Sequence, residues 1–140
     1  MPIYKNKVQW RGEHRGYTWC QNHTEMEFSA PPDLYGLPNA MTPEDAFMMA
    51  ANTCYHMMVI WAIERFKIDL VSFECEAVGE VEEFMDRTSW FKKVTLLPKI
   101  VVKNKPKEVV ARALNMALKY STICQSFKSE IEIQPTIITQ

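Results

Sequence analysis

The chain has 140 residues and a formal net charge of −1, with 16 Lys and Arg side chains against 17 Asp and Glu. This length suits a single domain over residues 1–140 that buries a core without disulfide or metal staples. Basic residues are mixed with acidic ones rather than gathered in one segment, so the composition predicts no nucleic-acid partner.

The N-terminus and the most apolar segment indicate where in the cell the protein is expected. The first residues, "MPIYKNKVQW", lack the basic-then-apolar pattern of a secretory signal. The most apolar stretch, residues 46–63, contains Asn52, Thr53 and His56. We therefore expect a soluble, cytoplasmic protein with no membrane partner.

The N-terminal third reads as strands followed by a loop. Residues 3–10 and 17–28 have period-two tendencies and are separated by "RGEHRG", whose glycines suit a hairpin turn. The segment 29–41, "SAPPDLYGLPNAM", is rich in proline and predicts a loop that leads into the first helix.

The first helix has a strong start signal. Thr42 can act as N-cap with Pro43 at the first helical position, and Glu44 and Asp45 place negative charge in the first turn. From residue 46 to 63 the helix is apolar on nearly every side, which predicts burial around most of its circumference. One small sheet cannot easily bury so much of the helix surface, whereas a second copy of the chain can.

Strands are predicted next at 70–81 and 92–102, the first with Phe73, Cys75 and Ala77 alternating against polar neighbours. Pro106 opens a second helix that runs to about Tyr120. The chain closes with the strand "EIEIQPTII". The predicted order is βββ-α-ββ-α-β, an α+β domain.

Four cysteines lie far apart in the chain, and no CxxC pair occurs, so no zinc ribbon, other metal site or cofactor is predicted. Cys20, on a predicted edge strand, and Cys75 have no neighbouring base that favours a thiolate, which indicates structural roles. Cys54 in the first helix and Cys124 after the second are equally compatible with plain core packing.

The segment "TPEDAF" followed by "MMAANTCY" resembles the first-helix motif of the osmotically inducible protein C and organic hydroperoxide resistance (OsmC/Ohr) family. That motif reads Asn/Thr-Pro-Glu-x-x-Phe/Leu with a cysteine ten residues after the glutamate, which is the spacing from Glu44 to Cys54. "PPDLYG" is similar to the family's Pro-x-Glu-Leu-Gly segment, and Cys124 follows Cys54 by seventy residues. The resemblance runs from about Lys7 to Ile133.

The resemblance implies an intertwined homodimer whose β-sheets wrap around long central helices. It also implies a thiol-dependent peroxidase, with Cys54 attacking an organic hydroperoxide and Cys124 resolving the product as a disulfide. The usual reductants of the family are dithiols, particularly lipoylated proteins. "CQSF" stands where many peroxidase members have Cys-Pro, which leaves open whether Cys124 reaches Cys54.

A buried thiolate needs a cation close by. The family supplies an arginine from the N-terminal hairpin, held by the motif glutamate, here Glu44. Arg15 is the preferred candidate and Arg11 the alternative, since the family's Gly-Gly-Arg-x-Gly pattern is not reproduced. Because ten residues of helix span about 15 Å, we expect Glu44 to act on Cys54 across the dimer.

The neighbours of Cys54 at helical spacing predict an apolar pocket that favours bulky organic hydroperoxides over hydrogen peroxide. These neighbours are Ala50, Met57 and Met58, with Trp61 and Phe47 beyond. Two alternatives remain. One is a non-catalytic relative that binds a small hydrophobic molecule in the dimer cavity, and the other is an interaction protein with inert cysteines.

Overall fold

The computed structural model comprises residues 1–140, which form two compact units, Met1–Phe47 and Met48–Gln140. That residues 1–140 act as one domain stays a prediction. In chain order the elements are β1 (Asn6–Trp10), β2 (Arg15–Cys20), β3 (Glu25–Ser29), a 3-10 turn (Pro32–Leu34), α1 (Pro43–Arg65), β4 (Asp69–Glu83), β5 (Ser89–Lys103), α2 (Lys107–Tyr120), α3 (Thr122–Ser126), β6 (Glu130–Ile133) and β7 (Thr136–Thr139).

The first unit contains an antiparallel sheet in the order β1-β2-β3. The predicted hairpin at "RGEHRG" is confirmed: Trp10 pairs with Gly16, and Gly12 has a φ of 101°, which glycine adopts without strain. The predicted strand 17–28 is interrupted by a turn after Cys20, where His23 has a φ of 71°. Cys20 therefore lies at the end of the central strand β2, and its placement on an edge strand was wrong.

The second unit is built on a long antiparallel hairpin, β4 with β5, which runs further than the predicted 70–81 and 92–102. The predicted alternation on β4 is confirmed, with Phe73, Cys75 and Ala77 half-buried between exposed neighbours. The predicted last strand is two strands, β6 and β7, both parallel to β5. The break falls at Pro135, which has no backbone N–H to donate to the sheet.

The start of α1 follows its sequence signal. Thr42 Oγ1 accepts a hydrogen bond from the backbone N–H of Asp45 at 3.0 Å, and the Asp45 carboxylate accepts one from the Thr42 backbone N–H at 3.0 Å. This reciprocal arrangement is a capping box with aspartate in the usual place of glutamate. The first-turn carboxylate of Glu44 takes no part in it.

Within the chain, α1 is buried along one stripe only, formed by Ala51, Tyr55, Val59, Ala62 and Ile63. The Tyr55 hydroxyl donates to the Leu114 carbonyl on α2 at 3.2 Å, and Asn52 Nδ2 donates to the Cys75 carbonyl on β4 at 2.9 Å. The stripe packs into a core with apolar residues of β5 and α2, among them Val94, Leu96, Ile100, Val102, Val110, Ala113, Leu114 and Ala117.

The opposite side of α1 is apolar and open. Met57 is 58% exposed, Met49 44% and Trp61 38%, so the chain alone does not supply the all-round burial that the sequence predicts. By length and composition α1 could cross a membrane, a weak criterion that the core helix of a soluble protein also meets. Its bonds to α2 and β4 are those of a core helix.

Candidate active site

Cys54 lies in the middle of α1, half-buried, on a different side of the helix from the core stripe. Met58, Trp61 and Arg65 follow it at helical spacings of four, seven and eleven residues, so the four side chains share one helix face. This face leads from the thiol towards the C-terminal end of α1.

Ser121 is the single residue between α2 and α3 and is fully buried, with 0% of its surface exposed. Its backbone ends α2, and its side chain caps the N-terminus of α3. The Ser121 hydroxyl donates a hydrogen bond to Cys54 Sγ at 3.1 Å and accepts one from the backbone N–H of Cys124 at 3.3 Å. One oxygen atom therefore connects the two predicted catalytic cysteines.

Cys124 lies in the five-residue helix α3 and is 3% exposed. Its thiol donates to the Ala51 carbonyl, one turn before Cys54 on α1, at 3.6 Å. Burial raises the pKa of Cys124, the hydrogen bond with Ser121 lowers it, and the nearby Cys54 charge raises it. Both thiols are free. The segment "TICQS" forms the short helix α3, which ends before Phe127 and holds Cys124 against the helix of Cys54.

A groove of about 390 Å³ lies on the same face of α1. Its lining is Met58, Trp61 and Arg65 from α1 and Met116 and Tyr120 from α2. The rings of Trp61 and Tyr120 meet edge-on at 5.4 Å, and the Arg65 guanidinium lies over Trp61 at 5.6 Å. Tyr120 directly precedes Ser121, and Met58 is one turn from Cys54, so the groove lies on the helix face that carries Cys54, although Cys54 itself does not line it. Met57, also predicted to line this pocket, borders a separate cavity.

The predicted activators belong to the first unit. The Arg15 side chain, exposed at the start of β2, makes no hydrogen bond, ion pair or ring contact within Met1–Phe47. Arg11 is already engaged: its Nε donates to Gln9 Oε1 at 3.0 Å, and its guanidinium lies over the rings of Tyr17 and Trp19 at 5.1 and 5.6 Å. Glu44 is exposed and forms no ion pair with either arginine.

The other cysteines lie apart from this cluster. Cys20 is exposed, with Asn6 Nδ2 3.9 Å from its sulfur, and Cys75 borders the separate cavity of about 320 Å³ between α1 and β4. No three His, Cys, Asp or Glu side chains come together in a way that could hold a metal ion.

Sequence reasoning missed Ser121. A local signal exists, because a serine three residues before Cys124 can cap a helix that begins at Thr122. Its second hydrogen bond joins residues sixty-seven positions apart, and no local pattern indicates that contact.

The family model described as OsmC-like protein matches residues 36–136. No curated protein matches the chain by sequence.

Three solved structures illustrate the likeness. An OsmC-like protein of unknown function from Vibrio cholerae O1 biovar eltor has a TM-score of 0.88 at 18% identity, covering 96% of this chain and 99% of that one. An organic hydroperoxide resistance protein from Elizabethkingia anophelis has a TM-score of 0.78 at 17% identity, with coverages of 100% and 98%. Another, from Legionella pneumophila, has a TM-score of 0.74 at 12% identity, with coverages of 99% and 98%. The α+β fold predicted from the sequence pattern is therefore confirmed.

Proposed function

Because the chain belongs to the OsmC-like family, we propose that it is a thiol-dependent peroxidase that reduces organic hydroperoxides. The observation that carries the proposal is that the buried Ser121 hydroxyl bonds both to the Cys54 sulfur and to the backbone N–H of Cys124, and that both cysteines are free thiols. Structural neighbours described as organic hydroperoxide resistance proteins support this reaction class.

In the proposed reaction, the Cys54 thiolate attacks the outer oxygen of a hydroperoxide ROOH. An S–O bond forms, the O–O bond breaks, and the leaving alkoxide takes a proton to become the alcohol ROH. Cys54 is then a sulfenic acid. The Cys124 thiolate attacks its sulfur, a Cys54–Cys124 disulfide forms, and the expelled hydroxide takes the thiol proton to leave as water.

An external dithiol closes the cycle. Its two thiols are oxidised to a disulfide while the two protein thiols are regenerated, so each turnover consumes one hydroperoxide and one dithiol. A lipoylated protein is the reductant that the family resemblance suggests.

Arg15 is the proposed activator of Cys54, and Glu44 the residue that holds it. A cation close to the sulfur favours its anionic form, which is the nucleophile. The free guanidinium of Arg15 supports this choice, because Arg11 would first have to leave Gln9 and two aromatic rings.

The proposed substrates are bulky organic hydroperoxides rather than hydrogen peroxide. The groove on the Cys54 face of α1 is mostly apolar, and its volume of about 390 Å³ suits an organic substituent. Its apolar lining is Met58, Trp61, Met116 and Tyr120.

We also propose that two copies of the chain assemble through α1. Its uncovered side exposes Met49, Met57 and Trp61, an apolar patch that water does not favour. A cytoplasmic location remains part of the proposal.

A second candidate function is non-catalytic binding of a small hydrophobic molecule. The observation that favours it is the same groove, whose two methionines and two aromatic rings can adapt to an apolar guest. In that case the cysteines would have no catalytic role.

The test is to add one equivalent of cumene hydroperoxide to the reduced protein and to map the products by mass spectrometry. We expect cumyl alcohol and a Cys54–Cys124 disulfide, together with complete loss of both in Cys54→Ser. Cys75→Ser is the matched control, since it removes another half-buried thiol beside α1 and leaves the reaction intact. Thiols that stay unchanged at excess oxidant would refute the peroxidase and favour the binding protein.

A further inference from the structure

Ser121 combines two hydrogen bonds on one buried oxygen, and the two bonds have different purposes. The bond from the Cys124 backbone N–H is a helix cap, for which the side chain needs only an acceptor. The proton of the hydroxyl is not used by the cap. It points to Cys54 Sγ, 3.1 Å away.

We propose that Ser121 is a positioning residue of the peroxidase reaction, which stabilises the nucleophilic sulfur of Cys54 and holds the resolving Cys124 beside it. This inference rests on the proposed function. Within Met48–Gln140, the Ser121 hydroxyl is the only hydrogen-bond donor to the Cys54 sulfur.

The donated bond favours the reactive form of Cys54. A hydrogen bond to an anionic acceptor is roughly twice as strong as one to a neutral acceptor, so O–H···S⁻ is favoured over O–H···SH. Ser121 is 0% exposed, and water does not compete for its proton. This contribution adds to that of the proposed arginine cation.

The accepted bond places the resolving residue. Ser121 joins α2 directly to α3, and its cap fixes the backbone nitrogen of Cys124 within two hydrogen-bond lengths of the Cys54 sulfur. α3 has only five residues, too few to be stable by itself, so its attachment depends on this corner and on the contact of Cys124 with Ala51.

The test compares Ser121→Ala and Ser121→Gly, which remove the hydroxyl, with Ser121→Thr, which keeps it. Glycine is a tolerated N-cap, so the glycine variant loses the donor with little loss of the helix. Ser126→Ala is the matched control: it lies in the same short helix, and its hydroxyl bonds only to the Thr122 carbonyl. Circular dichroism verifies that each variant is folded.

The first measurement is the rate at which iodoacetamide alkylates Cys54 in the reduced protein, followed against pH by mass spectrometry of its peptide. We expect Ser121→Ala and Ser121→Gly to slow this alkylation at pH 7 by about tenfold and to move its pH profile towards higher pH. Ser121→Thr and Ser126→Ala should keep the profile of the unmodified chain.

The second measurement adds one equivalent of cumene hydroperoxide with dimedone present, which traps a sulfenic acid before resolution. We expect the alanine variant to give more dimedone adduct and less Cys54–Cys124 disulfide than the unmodified chain, because its resolving cysteine is less well held.

Two results would overturn the inference: an unchanged alkylation profile in Ser121→Ala and Ser121→Gly, or an equal shift in Ser126→Ala. Alkylation needs no hydroperoxide, so this outcome is separate from the fate of the proposed function. A chain that ignores hydroperoxide removes the peroxidase, whereas equal alkylation profiles remove only the role of Ser121.

Discussion

Cys54 and Cys75 are both half-buried; Cys75 borders the cavity between α1 and β4, and Cys54 lies on the face of α1 that lines the groove. Their surroundings differ. Cys54 accepts a hydrogen bond from a hydroxyl, whereas the thiol of Cys75 donates to the Glu76 carbonyl at 3.5 Å. Burial raises the pKa of Cys75 to about 11; a hydrogen bond from the Leu97 backbone opposes this rise, and the Glu76 charge adds to it.

These two thiols have similar exposure but different hydrogen-bond surroundings. Both side chains are half-buried, yet the Cys54 sulfur accepts a bond from a hydroxyl, whereas the Cys75 thiol also donates a bond to a carbonyl. A nucleophilic sulfur needs donors and positive charge around it. At Cys75 burial and the Glu76 carboxylate outweigh the donor from the Leu97 backbone, so its ordinary state near neutral pH is the thiol.

The largest expected effect that sharpens this comparison is that of Cys124→Ser. With one equivalent of cumene hydroperoxide, we expect Cys54 to be oxidised at the normal rate but the intramolecular disulfide to be lost completely, since the resolving sulfur is gone. Dimedone should then label Cys54 in full. Cys75→Ser, measured by the same mass spectrometry, should form the disulfide normally; a disulfide between Cys54 and Cys75 in the Cys124 variant would contradict the separation of the two thiols.

The next effect concerns the arginines. If Arg15 favours the thiolate of Cys54, Arg15→Ala should slow oxidation of Cys54 by about tenfold or more. A cation within a few ångströms of a thiol increases the ratio of thiolate to thiol by about tenfold or more. Stopped-flow consumption of cumene hydroperoxide measures the rate.

Arg11→Ala is the control for Arg15, from the same hairpin and with the same loss of charge. We expect it to leave the oxidation rate close to that of the unmodified chain and to loosen only the contacts with Tyr17 and Trp19. Equal slowing by both variants would indicate general electrostatics in place of a specific contact. Neither should alter alkylation of Cys75.

The smallest expected effect is the contribution of Cys75 to the pH dependence of the free energy of unfolding. An unfolded thiol ionises near its ordinary pKa of 9.0, whereas the folded chain holds this proton to about pH 11. Between these values the folded state binds more protons, so its free energy of unfolding falls as pH rises through the window. Urea unfolding should show that the free energy of unfolding falls more between pH 8 and pH 10 in the unmodified chain than in Cys75→Ala. An equal fall in the two chains would contradict this prediction.

Much of the fold follows from local patterns. Thr42 and Pro43 mark the start of α1, and the alternation around Cys75 marks a strand with one covered face, because both signals depend on neighbouring residues only. The pairing of β6 and β7 with β5 and the short helix α3 were not predicted, since they depend on partners far away in the chain.

The candidate site divides in the same way. Cys54, Cys124, Arg15 and Glu44 were chosen from motif spacing, and of these the structure brings Cys54 and Cys124 to a common hydroxyl. Ser121 was missed because a serine between two helices usually caps one of them. The residues around it in the chain do not reveal that its hydroxyl donates to the sulfur of Cys54.

By itself, the sequence determined that this chain contains one long helix, apolar on nearly every side, with a cysteine at its centre and a capped start, because helix signals and periodicity are local. Only the tertiary structure decided which atoms surround that cysteine. The turn from α2 into α3 brings a hydroxyl and a second thiol to it from sixty-seven and seventy residues away, and such an approach depends on the packing of whole elements rather than on spacing within one.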